Sequence, residues 1–200
     1  MSTRYAKALD LPLRVPFIAG YMPAFLFTML AALVAGLGAR DQMLVASLAA
    51  RRGASIDLLV AALMVAVLSA GIAGWAGGLI APQMTPRARI LLVAVALGLA
   101  AFEMLVLRPR RAAAEPTESL GALAVVLLAH ELTDAARLLV FAIAAASAVP
   151  ALALAGGMAG CGASIVIGWS AGDKLLRLPL VWLRAGLGVV LGLVALYLVF

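Results

Sequence analysis

LLVAALMVAVLSAGIAGWAGGLIA, Leu58 to Ala81, runs for 24 residues without a charged side chain. A helix needs about 20 apolar residues to cross the hydrocarbon of a bilayer, so this stretch reads as a membrane span. Five further runs lie on either side of it. The first covers 22–50 and is interrupted by Arg40 and Asp41. The third, 90–107, contains Glu103, and the fourth, 119–149, contains His130, Glu131, Asp134 and Arg137. The fifth, 151–171, is Gly-rich and uncharged, and the sixth covers 178–200. None alternates with period two, which argues against a barrel and for helices. The expected fold is therefore an all-α membrane protein with six transmembrane helices. Composition agrees: of 200 residues 66% are hydrophobic and only 12% charged, where soluble domains carry about 45–50% apolar and about 25% charged residues. That excludes a soluble enzyme, a nucleic-acid reader and a disordered tail. The net charge of +6 comes largely from Arg residues between the apolar runs, a pattern of membrane-facing loops. One cysteine, Cys161, and one histidine, His130, leave no disulfide framework and no multi-Cys or His-rich metal site.

The chain divides at the polar stretch RPRRAAAEPTE, 108–118. We expect an N-terminal leader over 1–21, a three-helix unit over 22–107, a linker over 108–118 and a second three-helix unit over 119–200. The basic residues around 51–52, 108–111 and 174–177 outnumber those on the opposite side, which favours a cytoplasmic linker. The two units resemble each other. GLGARDQMLVASLAAR from Gly36 aligns with ELTDAARLLVFAIAAA from Glu131, GWAGG from Gly74 with GWSAG from Gly168, and LGLAAFEM from Leu97 with LGLVALYL from Leu191. The offsets are 95, 94 and 94 residues. An odd number of spans per unit turns the second copy upside down, giving two inverted repeats. In transporters of that architecture the substrate site lies near the midplane where the repeats meet, here between the first and fourth runs.

Ionisable residues inside a span cost about 2.5–3.5 kcal/mol on insertion scales and usually face a pathway or a partner. On a continuous helix Glu131 and Asp134, three apart, would share one face. Their oxygens suit a hard divalent cation. In a dry site without a cation, two neighbouring carboxylates repel and take up protons instead, so cation and proton compete for them. Thr133 adds a hydroxyl oxygen as a candidate ligand, and His130 can titrate beside the pair. Asp41 and Gln42 are the candidate ligands from the first half. A structural alternative stands beside this: Arg137, three residues beyond Asp134, would neutralise it, with His130 and Glu131 a second pair. Glu103 reads as an interfacial residue paired with Arg108. The glycines of the second and fifth runs read as helix-packing positions.

These residues resemble the GDT-one family of membrane cation/proton exchangers, which carry an E-x-G-D-K/R-S/T signature in each of two inverted repeats. ELTDAA, Glu131 to Ala136, looks like the second signature, with both acidic positions kept. GLGARD, Gly36 to Asp41, looks like a degenerate first one in which the acidic positions are gone. The resemblance covers about residues 24–200. It implies movement of manganese or calcium against protons at a site between the first and fourth spans.

The expected function is accordingly a secondary transporter that exports a divalent cation in exchange for protons. Glu131, Asp134, Thr133, Asp41 and Gln42 would contact the metal, and Glu131, Asp134 and His130 would couple protons. The alternatives are export of another metal or an amino acid, or a non-transporting membrane scaffold. No enzyme is expected: there is no nucleophile–base arrangement, and His130-Glu131 lacks the second His of a zinc helix. No cofactor is expected besides the transported ion. The partners would be the lipid bilayer, the cation and protons, with no nucleic acid. A homodimer is compatible with the sequence, and the bacterial inner (plasma) membrane is the expected location.

Overall fold

The uncharged run folds into one long helix, α3 (Ile56–Ile80), whose two faces differ in size rather than polarity. Val60, Met64, Leu68, Ile72, Trp75 and Leu79 recur every three or four residues and are all 49–63% exposed. The opposite face buries small residues: Ala62, Ala66, Ser69, Ala70, Gly74 and Gly77. A soluble helix would put its large apolar side chains inside. Large residues outside and small ones inside is the arrangement lipid favours, because tails solvate the large side chains while small ones let helices approach. Ser55 caps the helix, its side chain accepting from the Leu58 amide.

The computed structural model describes residues 21–106, 119–132 and 134–200, and contains no strand among them. Ahead of α3 lie α1 (Tyr21–Gly36) and α2 (Arg40–Arg52), and after it α4 (Pro86–Val106). The second half comprises α5 (Leu120–Leu132), α6 (Ala135–Ala146), α7 (Pro150–Ala171), the short α8 (Asp173–Arg177) and α9 (Leu180–Val199). The segment Ile56–Gln83, α4, α7 and α9 are long and apolar enough to cross a membrane. Pro23–Gly36 and Arg40–Arg51, bent by 63° at their junction, make a fifth span if taken as one. These are the helices of an integral multi-pass membrane protein. Residues 1–20 of the expected leader and the whole expected linker lie outside the described residues, while Tyr21 already opens α1.

The fourth run departs from expectation. It is not one helix but two: α5 ends at Leu132 and α6 begins at Ala135, with Asp134 in extended backbone (φ −84°, ψ 135°) ahead of α6. Aspartate favours this position before a helix. Glu131 and Asp134 therefore do not share a continuous helical face: one ends α5, the other precedes α6.

Helix α7 sits centrally, packed on α1, α2, α3 and α6. Its glycines set the spacing to α1: a Cβ on Gly156 or Gly160 would run into the Phe25 or Met29 carbonyl oxygen. The packing also follows a pattern across the halves. α1 lies on α7 and α5 on α3; α2 lies on α7 and α6 on α3; α3 meets α7, and α4 meets α9. Helix starts keep a nearly constant distance in sequence: α2 and α6 are 95 residues apart, α3 and α7 94, α4 and α9 94.

Candidate functional site

Two helix breaks come together inside the bundle. At the first, α1 ends at Gly36 and α2 begins at Arg40, with Gly38 in left-handed backbone at φ 67°. Unpaired backbone groups are costly away from water, and side chains from three helices satisfy these. Gln42 Oε1 accepts from the Gly38 amide at 2.6 Å, while Gln42 Nε2 donates to the Ser164 carbonyl at 3.0 Å. Ser164 Oγ donates to the Gly36 carbonyl at 3.1 Å, and Arg184 Nη1 donates to the Leu37 carbonyl at 2.7 Å. Gln42, expected as a cation ligand, is thus fully buried and committed to the break.

Both helices that leave the breaks are met by a carboxylate at their N-terminus, where the free amides and the helix dipole favour negative charge. At α2 this is its own Asp41, whose Oδ1 accepts from the Gln42 amide at 2.8 Å. At α6 it is Glu103 of α4, whose Oε2 accepts from the Ala135 amide at 3.2 Å. Glu103 was expected at the interface with Arg108. Instead it faces inward, with Arg184 4.0 Å from its Oε1; Arg108 lies outside the described residues.

Arg137 occupies the centre. Its Nη1 lies 2.6 Å from Asp134 Oδ2 and 3.2 Å from Asp41 Oδ2. Its Nη2 lies 2.7 Å from Glu131 Oε1, and its Nε donates to Ser69 Oγ at 3.2 Å. All three carboxylate side chains are 8% exposed or less. The guanidinium is oversubscribed. Neither Glu131 oxygen, nor Nη2 itself, reaches hydrogen-bonding geometry with any partner among the described residues, although Nη2 and Oε1 are in ion-pair contact.

A cavity of about 520 Å³ opens on this cluster. Glu103, Glu131, Asp134, Arg137 and Ser69 line it. So do apolar residues of α3, α4 and α6, among them Ile72, Phe102 and Leu138. Asp41 does not line it and joins the cluster through Arg137. Among the described residues, no three of His, Cys, Asp and Glu stand ready to hold a metal ion, since the carboxylates are turned onto the guanidinium.

The structure therefore gathers three expected site residues, Asp41, Glu131 and Asp134, and turns Gln42 away. Thr133 and the side chain of His130 lie outside the described residues. The Asp134–Arg137 pair anticipated from the sequence is present, but Glu131 joins it as well. Sequence reasoning missed Ser69, Arg184 and the inward turn of Glu103. Arg184 carried a usable signal: it is a lone arginine within the sixth apolar run. Compared with protein-family models, curated proteins and solved structures, the chain finds no match.

Proposed function

We propose that this protein is a secondary transporter that exports a divalent cation, manganese or calcium, in exchange for protons, with Glu131, Asp134 and Asp41 as the exchange site. One observation carries the reading: three buried carboxylates from both halves meet a single guanidinium. A structural pair needs one carboxylate per arginine. Here, with all groups ionised, a charge of −2 is left over, and Glu103 with Arg184 adds none. Buried surplus charge is expensive. One divalent cation would neutralise it, and so would two protons, which is what an exchanger requires. The neighbouring cavity offers room beside the carboxylates.

The wider architecture we propose is six spans in two inverted repeats, with α1–α2 and α5–α6 as broken first helices. The near-equal spacing of the α2/α6, α3/α7 and α4/α9 starts and the matched packing of α1 and α2 on α7 and of α5 and α6 on α3 support it, and broken helices meeting at the midplane are what such transporters use to build ion sites. The residual likeness to the GDT-one exchangers fits this reading, as does placement in a bacterial inner membrane.

The test is manganese or calcium flux into proteoliposomes under an imposed pH gradient. Glu131→Gln and Asp134→Asn should each abolish gradient-driven flux while the purified protein stays folded. Undiminished flux in both variants would refute the reading. The 2.6 Å Asp134–Arg137 pair supports a second reading, a non-transporting scaffold. A scaffold would show no flux of metal or amino acid in the wild type, and a strong stability coupling between those two residues in a double-mutant cycle.

A further inference from the structure

The guanidinium of Arg137 stands where a bound cation would have to stand. Three carboxylates converge on it, and the next cation among the described residues, Arg184, donates to the Leu37 carbonyl and comes only within 4.0 Å of Glu103. Asp41 reaches the others only through Nη1, which it shares with Asp134. Any ion held by Asp41, Glu131 and Asp134 together must therefore take the space the guanidinium fills. The contacts are also poorly matched to a permanent bond. Among the described residues, Nη2 and both Glu131 oxygens are buried without a hydrogen bond, whereas a lasting arginine–carboxylate pair normally uses the two-pronged geometry of the fork. Arg137 lines the 520 Å³ cavity, and so does Glu103. Glu103 has one committed oxygen, Oε2 on the Ala135 amide. Its Oε1 has only the 4.0 Å approach of Arg184.

From these contacts we propose that Arg137 is a resident counter-cation, displaced by the transported cation, and that its guanidinium turns through the cavity toward Glu103 when the cation binds. This rests on the exchanger reading above and deepens it. It makes Arg137 a competitor of the substrate rather than a ligand. It also makes Glu103 a receiver of the displaced charge. The empty site never exposes three uncompensated carboxylates, and the loaded site never buries an arginine without an anion.

The experiment is calorimetric titration of manganese ion into the full chain in lipid nanodiscs, comparing wild type, Arg137→Gln, Glu103→Gln and the double variant. Removing the competitor should tighten manganese binding by about tenfold or more, which corresponds to about 1.4 kcal/mol. Glu103→Gln should weaken binding severalfold in the wild-type background and leave it unchanged in the Arg137→Gln background, since there is then no guanidinium to receive. A merely structural Glu103 would act alike in both backgrounds, and that result would overturn its role. If Arg137→Gln does not fold, Arg137→Lys replaces the fork by a single point charge and should give a smaller gain in affinity; an unchanged affinity would overturn the proposal. Flux in the wild type with no tighter binding in the Arg137 variants would remove this proposal alone. Tight binding in Arg137→Gln with no binding or flux in the wild type would remove the exchanger reading and keep Arg137 as the occupant of a cation site. Absence of binding in every form would remove both.

Discussion

Arg137 on α6 and Asp41 at the start of α2 stand 96 residues apart in the sequence and 3.2 Å apart in space. That contact joins the two helix breaks, since Asp41 also accepts the Gln42 amide at the N-terminus of α2. Asp41→Asn keeps the shape and the amide contact and loses the charge. Its cost to stability should be small, about 1 kcal/mol or less, because the Gln42 amide keeps its acceptor and surplus negative charge is relieved. Asp41→Ala removes that acceptor as well and should cost about 1–3 kcal/mol. Thermal unfolding in a fixed detergent checks the order. Equal losses for the two variants would mean that charge, not the bond to the Gln42 amide, is what Asp41 supplies.

Glu131 and Asp134 should separate in stability although the proposed exchange needs both. Asp134 makes the short 2.6 Å contact with Arg137, so Asp134→Asn should destabilise by about 1–3 kcal/mol. Neither Glu131 oxygen has a hydrogen bond among the described residues, so Glu131→Gln should be neutral or mildly stabilising as one uncompensated charge disappears. Midpoints of thermal or denaturant unfolding report the two shifts. A large loss for Glu131→Gln would show that its contact with Arg137 is a structural mainstay.

Much of this was legible before the fold was known, and the reasons differ by element. The α3, α4, α7 and α9 segments are apolar over lengths only a membrane explains. The pairing of Arg40-Asp41 with a helix break was readable from polarity inside an apolar run. The break at 133–134 was not readable from hydropathy, because the residues from Ala135 to Ala146 are apolar again and read as a continuation. The inward turn of Glu103 and Arg184 depends on how α4 packs on both α6 and α9, which no local pattern records. Arg137 was legible as a partner of Asp134 by spacing alone. Its other two carboxylates come from α5 and from α2, the latter in the other half of the chain.

Gly160 should tolerate no side chain. A Cβ there meets the Met29 carbonyl oxygen of α1 and the Ala32 side chain, and the obstruction on one side is backbone, which cannot rotate away. Gly160→Val should therefore push α1 off α7 and cost about 1–3 kcal/mol or more. Gly98 and Gly186 have nothing within 4 Å of such a Cβ and serve as controls. Gly98→Ala should be neutral or slightly stabilising, because alanine is the better helix former by about 1 kcal/mol. Comparable losses at Gly160 and Gly98 would show that α1 and α7 are not in the close contact described.

Gln42 offers the sharpest separation of fold from the proposed transport. It is the third residue of α2, as Arg137 is the third residue of α6. Both side chains reach back to the break that precedes them, Gln42 to the Gly38 amide and Arg137 to Asp134 and Glu131. Gln42→Leu would leave the Gly38 amide without its acceptor and take from the Ser164 carbonyl the bond it accepts beyond its own helix, at a cost of about 1–3 kcal/mol for the unsatisfied amide. Gln42→Glu keeps an acceptor for Gly38 but cannot donate to Ser164, and it adds a fourth negative charge near Asp41. It should lose stability too, and manganese should restore more of it than in the wild type if the added charge is felt at the site. Thermal unfolding with and without manganese distinguishes the cases. A Gln42→Leu variant as stable as the wild type would mean that the break is held by Ser164 and Arg184 alone, and that the amide of Gln42 is free for another role.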